Sequence, residues 1–383
     1  VKYKSEVIGK NGISARIVAK SQSGYSGTIM TTWEYEAPKC ILAELNTHNI
    51  LVKNAQSSRA VPVKKVLEQI LNNPVTPVHW GSNQAGMVAG EEINKDVEFY
   101  RNGEDCYTLN RDDAWDHTAN LVGSLQASWD NAGYHKQIVN RIGEAFTMVK
   151  GVITGTEIDN FFHLRYHPHA DPYIYELAKC MWEAYAQAET EVLYEGEWHT
   201  PYVDHIRCPV TGRLLYGSIK TKEDWVEANS KITPVEITFD NKEFSLCGAV
   251  DWKVLIKNGT SKYLDEVSLE QALKISAAAC GQVSYRNLDL SEDTVERVWG
   301  NLMGGDIIHA SVTGHQASPM KQAAPKVYFN GGGDVEVKGC VNDGVSHIDM
   351  EGNAWSAQFK HWFMHRKLIP NESFKGKFVP PTE

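Results

Sequence analysis

The apolar and polar positions of the chain mark out its elements. Residues 27–38, GTIMTTWEYEAP, are rich in Thr, Ile, Trp and Tyr and predict a strand. Pro38 then opens PKCILAELNTHNIL, where Ile41, Leu42 and Leu45 fall near helical spacing with Pro in the first turn. After a Ser-Ser-Arg turn, VPVKKVLEQILNN predicts a short amphipathic helix ended by Asn-Asn-Pro. Residues 74–90 form a Pro- and Gly-rich loop carrying Trp80, of the kind found on surfaces and often at sites. From Asp112 to about Ala145 the pattern is helical, with Trp115, Leu121, Leu125 and Trp129 on one side and a break at NAGYHK. Two more helices follow. The first runs through Phe161 and Phe162 and stops before Pro168; the second starts with Asp171 as N-cap and Pro172 at the first helical position.

Residues 200–263 change character, to β-rich runs with Asn-Gly and Asp-Asn turns. Helical spacing resumes at SLEQALKISAAACGQVSY, with Ser268 as N-cap, and the tail holds FNGGGD and the aromatic segment WSAQFKHWFMHRKLI. The expectation is an α+β chain whose core is built from 1–205 and 264–383, with a β-rich insertion at 206–263.

Composition narrows the function classes. Apolar residues make up 42% and charged residues 22% of the 383, as in a soluble globular protein able to bury a core. A net charge of -10 argues against a general binder of nucleic-acid polymers, but leaves room for a local basic pocket. Cysteines 40, 106, 180, 208, 247, 280 and 340 are scattered without pairing spacing, which suggests reduced thiols. No apolar run is long enough to span a bilayer, and the first residues lack an apolar signal core, so a cytoplasmic location is expected, without membrane partners.

Three stretches carry candidate chemistry. In NTHNILVKNAQSSRAVPVKK, Ser57, Ser58 and Arg59 lie at the mouth of the helix that begins near Pro62. Two hydroxyls, a guanidinium and helix-start N–H groups suit a phosphate, though a serine cap beside an exposed arginine fits the spacing as well. Near Asn160, Arg165 precedes a forced helix break amid Phe161, Phe162 and Leu164, with His169 following. A dry guanidinium there needs an anionic partner, either a ligand or an internal carboxylate. In IHASVTGHQASP, His309 and His315 flank a Ser/Thr/Gly turn with no carboxylate or cysteine at ligand spacing, so no metal site is expected. No nucleophile elbow appears, and GGGD lacks the strand–helix context of a dinucleotide fold.

Together these blocks resemble the flavin-dependent thymidylate synthase (ThyX) family. Its signature is Arg-His-Arg, seven residues, Ser, and Arg two further on. Here Thr47-His48-Asn49 is followed by seven residues, Ser57 and Arg59. The family's Asn-Phe-Leu-x-Leu-Arg block is similar to NFFHLRYHPHAD, Asn160 to Asp171, and its Ala-Arg pair to Asn140-Arg141. Its last block is similar to GQVSY, 281–285, and HASVTGH, 309–315. The block order resembles the longer, often phage-encoded form.

The resemblance implies a ThyX-like fold with a mixed or antiparallel sheet and long helices. It implies FAD as cofactor, NADPH and methylenetetrahydrofolate as co-substrates, dUMP as substrate, and a homotetramer with shared active sites. The implied reaction is reductive C5-methylation of dUMP to dTMP. The alternatives are a relative modifying another pyrimidine nucleotide, or a non-catalytic nucleotide-binding relative that has lost FAD. By position, Ala55, Gln56, Ser57, Ser58, Arg59 and Arg141 would hold the nucleotide, and Arg165 would meet the uracil carbonyl edge as the catalytic cation. His48, Asn49, Asn160, His169, Ser284, His309 and Ser311 would face the flavin. Thr47 and Asn49 replace both signature arginines, and Gly314 replaces an acidic residue.

Overall fold

The computed structural model describes residues 4–101, 104–207, 212–219, 234–239, 242–247, 264–283, 288–305, 308–321, 326–329, 335–338, 344–373 and 380. The chain is α+β. Its elements in chain order begin β1 (Ser5–Ile8), β2 (Ser14–Ser23), β3 (Ile29–Pro38), α1 (Leu42–Asn46), β4 (Val52–Ala55) and α2 (Val63–Asn72). There follow a hairpin of β5 (Val97–Arg101) and β6 (Glu104–Leu109), then α3 (Arg111–Asn131), α4 (Lys136–Ile142), β7 (Met148–Gly155), α5 (Asp159–Arg165), α6 (Pro172–Gln187) and β8 (Glu191–Leu193).

The frame is a six-stranded sheet in the order β1-β2-β3-β7-β4. All neighbours are antiparallel, and β8 is added parallel to the end of β2. On one face, Ile17 opposes Trp33, which opposes Ile153, while Ala37 opposes Val149. These residues are buried against Ile174, Leu177, Ala178, Met181 and Ala184 of α6. Their spacing puts them on one stripe of that helix. Asp171 caps α6 as expected, its Oδ1 accepting from Tyr173 N at 2.9 Å and Ile174 N at 3.2 Å. At the far end, Lys20 Nζ donates to the carbonyls of Tyr185 (2.8 Å) and Ala188 (3.0 Å), groups a helix end leaves open.

The opposite face is covered by α7 (Leu269–Gln282) and the 3-10 turn Ala310–Gly314, with α8 (Glu292–Met303) packed behind α7. Ser268 caps α7, its Oγ accepting from Gln271 N at 3.1 Å. Between α6 and α7 the chain forms further antiparallel pairs. Asp204–Arg207 and Leu264–Val267 flank Leu214–Ile219, and Pro234–Phe239 pairs with Lys242–Cys247.

Two expectations differ from the structure. The helix after Pro38 is short: a 3-10 turn, Lys39–Ile41, then the single turn of α1 before the chain swings into β4. The side of α3 marked by Leu121, Leu125 and Trp129 does not face the core; these residues are 47%, 59% and 44% exposed. The buried positions are Ala114, Ala119, Gly123 and Gln126, because α3 packs closely on α2 through small residues. FNGGGD, from Asn330 onward, lies outside the described residues.

Candidate functional site

The short strand β4 positions most of the candidate residues. The loop before it carries Thr47, His48 and Asn49; the turn after it carries Gln56, Ser57, Ser58 and Arg59. Two clefts open at these two ends, and no lining residue is common to both.

The first cleft, about 310 Å³, is bordered by Gln56, Ser57, Ser58 and Asn140 together with Lys39, Lys65 and Lys150. Asn140, in α4, fixes the serine turn: its Nδ2 donates to the carbonyls of Ser58 and Val61, both at 2.8 Å. Within the turn, Arg59 N donates to Ser57 Oγ at 3.2 Å, and Gln56 N donates to the Lys150 carbonyl at 2.8 Å. This joins blocks some eighty residues apart. Lys39 pairs with Glu144 at 2.5 Å and Lys150 with Glu36 at 3.7 Å, while Lys65 forms no ion pair among the described residues. Arg59 and Arg141 are exposed and stand next in sequence to the lining residues Ser58 and Asn140. Ala55 lies at the end of β4, opposite Gly151.

The second cleft, about 390 Å³, is lined by Thr47, His48, Asn49, Ile50, Glu157, Asp159, Asn160, Leu164 and Arg165. Its centre is a latch on Arg165. Nε donates to His48 Nε2 at 2.8 Å, one terminal nitrogen reaches Glu44 Oε2 at 3.4 Å, and the other reaches Thr47 Oγ1 at 3.4 Å. His48 is buried edge-on to Phe161 at 5.0 Å. Burial first, then the charges of Arg165 and Lys53, push its pKa below the ordinary value. The imidazole is therefore neutral, with its proton on Nδ1 and its Nε2 lone pair facing the guanidinium. Lys53 Nζ donates to the His48 carbonyl and fixes the loop from behind.

Of the residues expected to face a flavin, His48, Asn49 and Asn160 line this cleft. His169, beyond the end of α5, and His309 and Ser311, at the 3-10 turn, are exposed and do not line it; Ser284 lies outside the described residues. His315 points inward. It ends a buried chain of hydrogen bonds from Ser21 through His199, Thr32 and Thr154, each 2.7–2.8 Å, and its Nε2 has no partner among the described residues.

FAD carries a diphosphate, which needs cations or clustered N–H donors. Among the described residues the only cation lining the second cleft is Arg165, already facing Glu44; Glu157 and Asp159 share the lining, and Asn49 brings no charge. The residues present do not fit the diphosphate. What sequence reasoning missed is the set Lys39, Lys150, Glu157 and Asp159. Lys39 follows Pro38, which pairs with Met148, and Lys150 pairs with Glu36; these strands are far apart in the chain, so only the sheet register could have revealed the two lysines.

No protein-family model matches the chain, and no curated protein matches it. Among solved structures it is similar to the UMP/dUMP methylase PolB from Streptomyces cacaoi bound with 5-Br UMP, at 15% identity and a TM-score of 0.32, covering 46% of this chain and 89% of that one. The same methylase bound with 5-Br dUMP gives 14% identity and a TM-score of 0.33, covering 48% and 93%. Likeness of this extent leaves the functional reading to the residues themselves.

Proposed function

We propose that the chain binds a pyrimidine nucleoside monophosphate, dUMP foremost, and acts on its C5 position. The observation that supports this most directly is the first cleft. In a chain of net charge -10, it gathers two serine hydroxyls and three lysines; Lys39 and Lys150 face Glu144 and Glu36, the latter also in the lining, and Lys65 is without an ion pair among the described residues. Its volume, about 310 Å³, suits a ligand of nucleotide size. Charge-assisted hydrogen bonds from hydroxyls and ammonium groups are the natural partners of a phosphate.

Arg165 is the proposed catalytic cation. Its two contacts at 3.4 Å, to Glu44 and Thr47, are the ones a uracil carbonyl would replace, while Nε stays on His48. A guanidinium there would stabilise charge that builds on the carbonyl as C5 becomes nucleophilic, worth roughly 3–4 kcal/mol per preorganised donor. Because the two clefts sit at opposite ends of β4, we assign them to one site only across copies, with the serine turn of one chain meeting the Arg165 cleft of another. The motif resemblance would make the reaction reductive methylation with methylenetetrahydrofolate and NADPH. The residues of the second cleft do not fit the diphosphate of FAD.

Titration calorimetry with dUMP against deoxyuridine tests the binding half: dUMP gives heat, and the nucleoside lacking phosphate binds at least tenfold more weakly. Equal affinities would remove the first cleft from the reading. Hydrogen release from C5 of tritiated dUMP, compared with dCMP and UMP, tests the catalytic half. The latch on Arg165 also favours a second reading, a nucleotide-binding protein without turnover. dUMP heat with no tritium release would select it.

A further inference from the structure

The second cleft differs in character from the first. Glu157 and Asp159 form part of its wall, and Glu44 faces Arg165 from the neighbouring turn. Asp349 and Glu351, from the loop before the strand Ala354–Ser356, lie close enough to Glu157 to act on its charge, and Lys360 opposes them. Burial first, then these carboxylates, raise the Glu157 pKa. Apart from Arg165 the rest of the lining is uncharged: Asn49 and Asn160 supply amides, Ile50 and Leu164 apolar surface, and buried His48 an imidazole already engaged through Nε2.

We propose that this cleft excludes the phosphates of anionic dinucleotides and takes an uncharged, amide-bearing ring, either as a free molecule or as the base of a nucleotide whose phosphate lies outside it. Three observations converge on it. The wall carboxylates repel a phosphate at close range, most strongly at low salt. Arg165 already faces a carboxylate in Glu44 and a lone pair on His48, so it is no free anion receptor. Asn49 and Asn160 present both donor and acceptor atoms and no charge, which suits a neutral heterocycle edge. The exclusion rests on the second cleft's own wall, and a uracil base reaching Arg165 satisfies it with its phosphate held in the first cleft.

The test uses three flavins that share one ring and differ in phosphate: riboflavin with none, FMN with one, FAD with two. Each is titrated into the full-length, as-purified protein while the quenching of flavin fluorescence is followed. Riboflavin is expected to bind at least tenfold more tightly than FAD, with FMN between. Raising the salt concentration should improve FAD binding and leave riboflavin unchanged. Glu157→Gln and Asp159→Asn should each narrow the gap between FAD and riboflavin, with circular dichroism confirming an intact fold. FAD binding at micromolar concentration or tighter, flavin carried through purification, or no binding by any of the three would each overturn the proposal. dUMP calorimetry on the same samples reports the first cleft separately.

Discussion

At the scale of single residues, the contact between His48 and Arg165 sets the electrostatics of the second cleft. Protonated His48 would lose the lone pair that accepts from Arg165 Nε and would repel the guanidinium. Its lowered pKa keeps the ring neutral down to pH values below the ordinary histidine range. Any Arg165-dependent activity should therefore be constant near neutrality and fall on an acid limb lying below pH ~6.5. Lys53→Met, which removes one of the charges that lower the pKa, should move that limb upward. His48→Gln, whose amide oxygen can still accept, should keep most activity; His48→Leu should lose it. Tritium release measured from pH 5 to 8 checks all three. Gly151 shows a different constraint. A Cβ there would lie inside contact distance of the Tyr35 ring, which is 1% exposed and cannot swing away. Gly151→Ala should destabilise the fold by about 1–3 kcal/mol, read from a urea transition.

At the scale of elements, the buried histidines tie the sheet to the layers that cover it. His199 bridges β2 and β3, and His315 joins β7 to the turn Ala310–Gly314. Burial pushes His199 well below its ordinary pKa and brings His315 to about 3. In the unfolded chain both titrate near 6.5, so between about pH 6.5 and 3 the unfolded state binds more protons. Stability should be unaffected by these groups above pH ~7 and fall on acidification, by roughly 1.4 kcal/mol per pH unit for each fully shifted histidine. His315→Gln should flatten the slope of the urea midpoint between pH 6.5 and 4.5, even though it lowers the midpoint at pH 7. None of this could be read from spacing, because the five linked residues, Ser21, Thr32, Thr154, His199 and His315, come from five separate segments. What could be read is what local chemistry decides. The cap and proline at Asp171–Pro172 start α6 where expected, Ser268 starts α7, and the apolar run of β3 appears as a strand. α3 misled because Leu121, Leu125 and Trp129 are periodic and apolar, yet the close approach of α2 is made on its small-residue side. The serine turn was visible as a candidate, but its lysines were not, since Lys39 and Lys150 meet it only through the register of β3, β7 and β4.

At the scale of the whole molecule, an acidic chain presents a basic cleft at one end of β4 and an acidic one at the other. A phosphate drawn to the first should show a marked salt dependence, since the exposed Lys65, Arg59 and Arg141 are easily screened. The sharper question is whether the two clefts of one chain ever serve the same ligand. If each working site takes its serine turn from one copy and its Arg165 cleft from another, two variants, each inactive alone, must repair one another. Lys65→Glu disables the first cleft and Arg165→Ala the second. Denatured together in equal amounts and refolded, they should assemble at random, and about one quarter of the sites would then combine an intact serine turn with an intact Arg165, as expected for two independent draws in a symmetric oligomer. Tritium release recovering to about that fraction of wild type, and absent when the two proteins are mixed without subunit exchange, supports the shared site. No recovery after proven exchange, measured by mass spectrometry of the mixed oligomer, would place both clefts in the service of one copy and refute the assignment across chains.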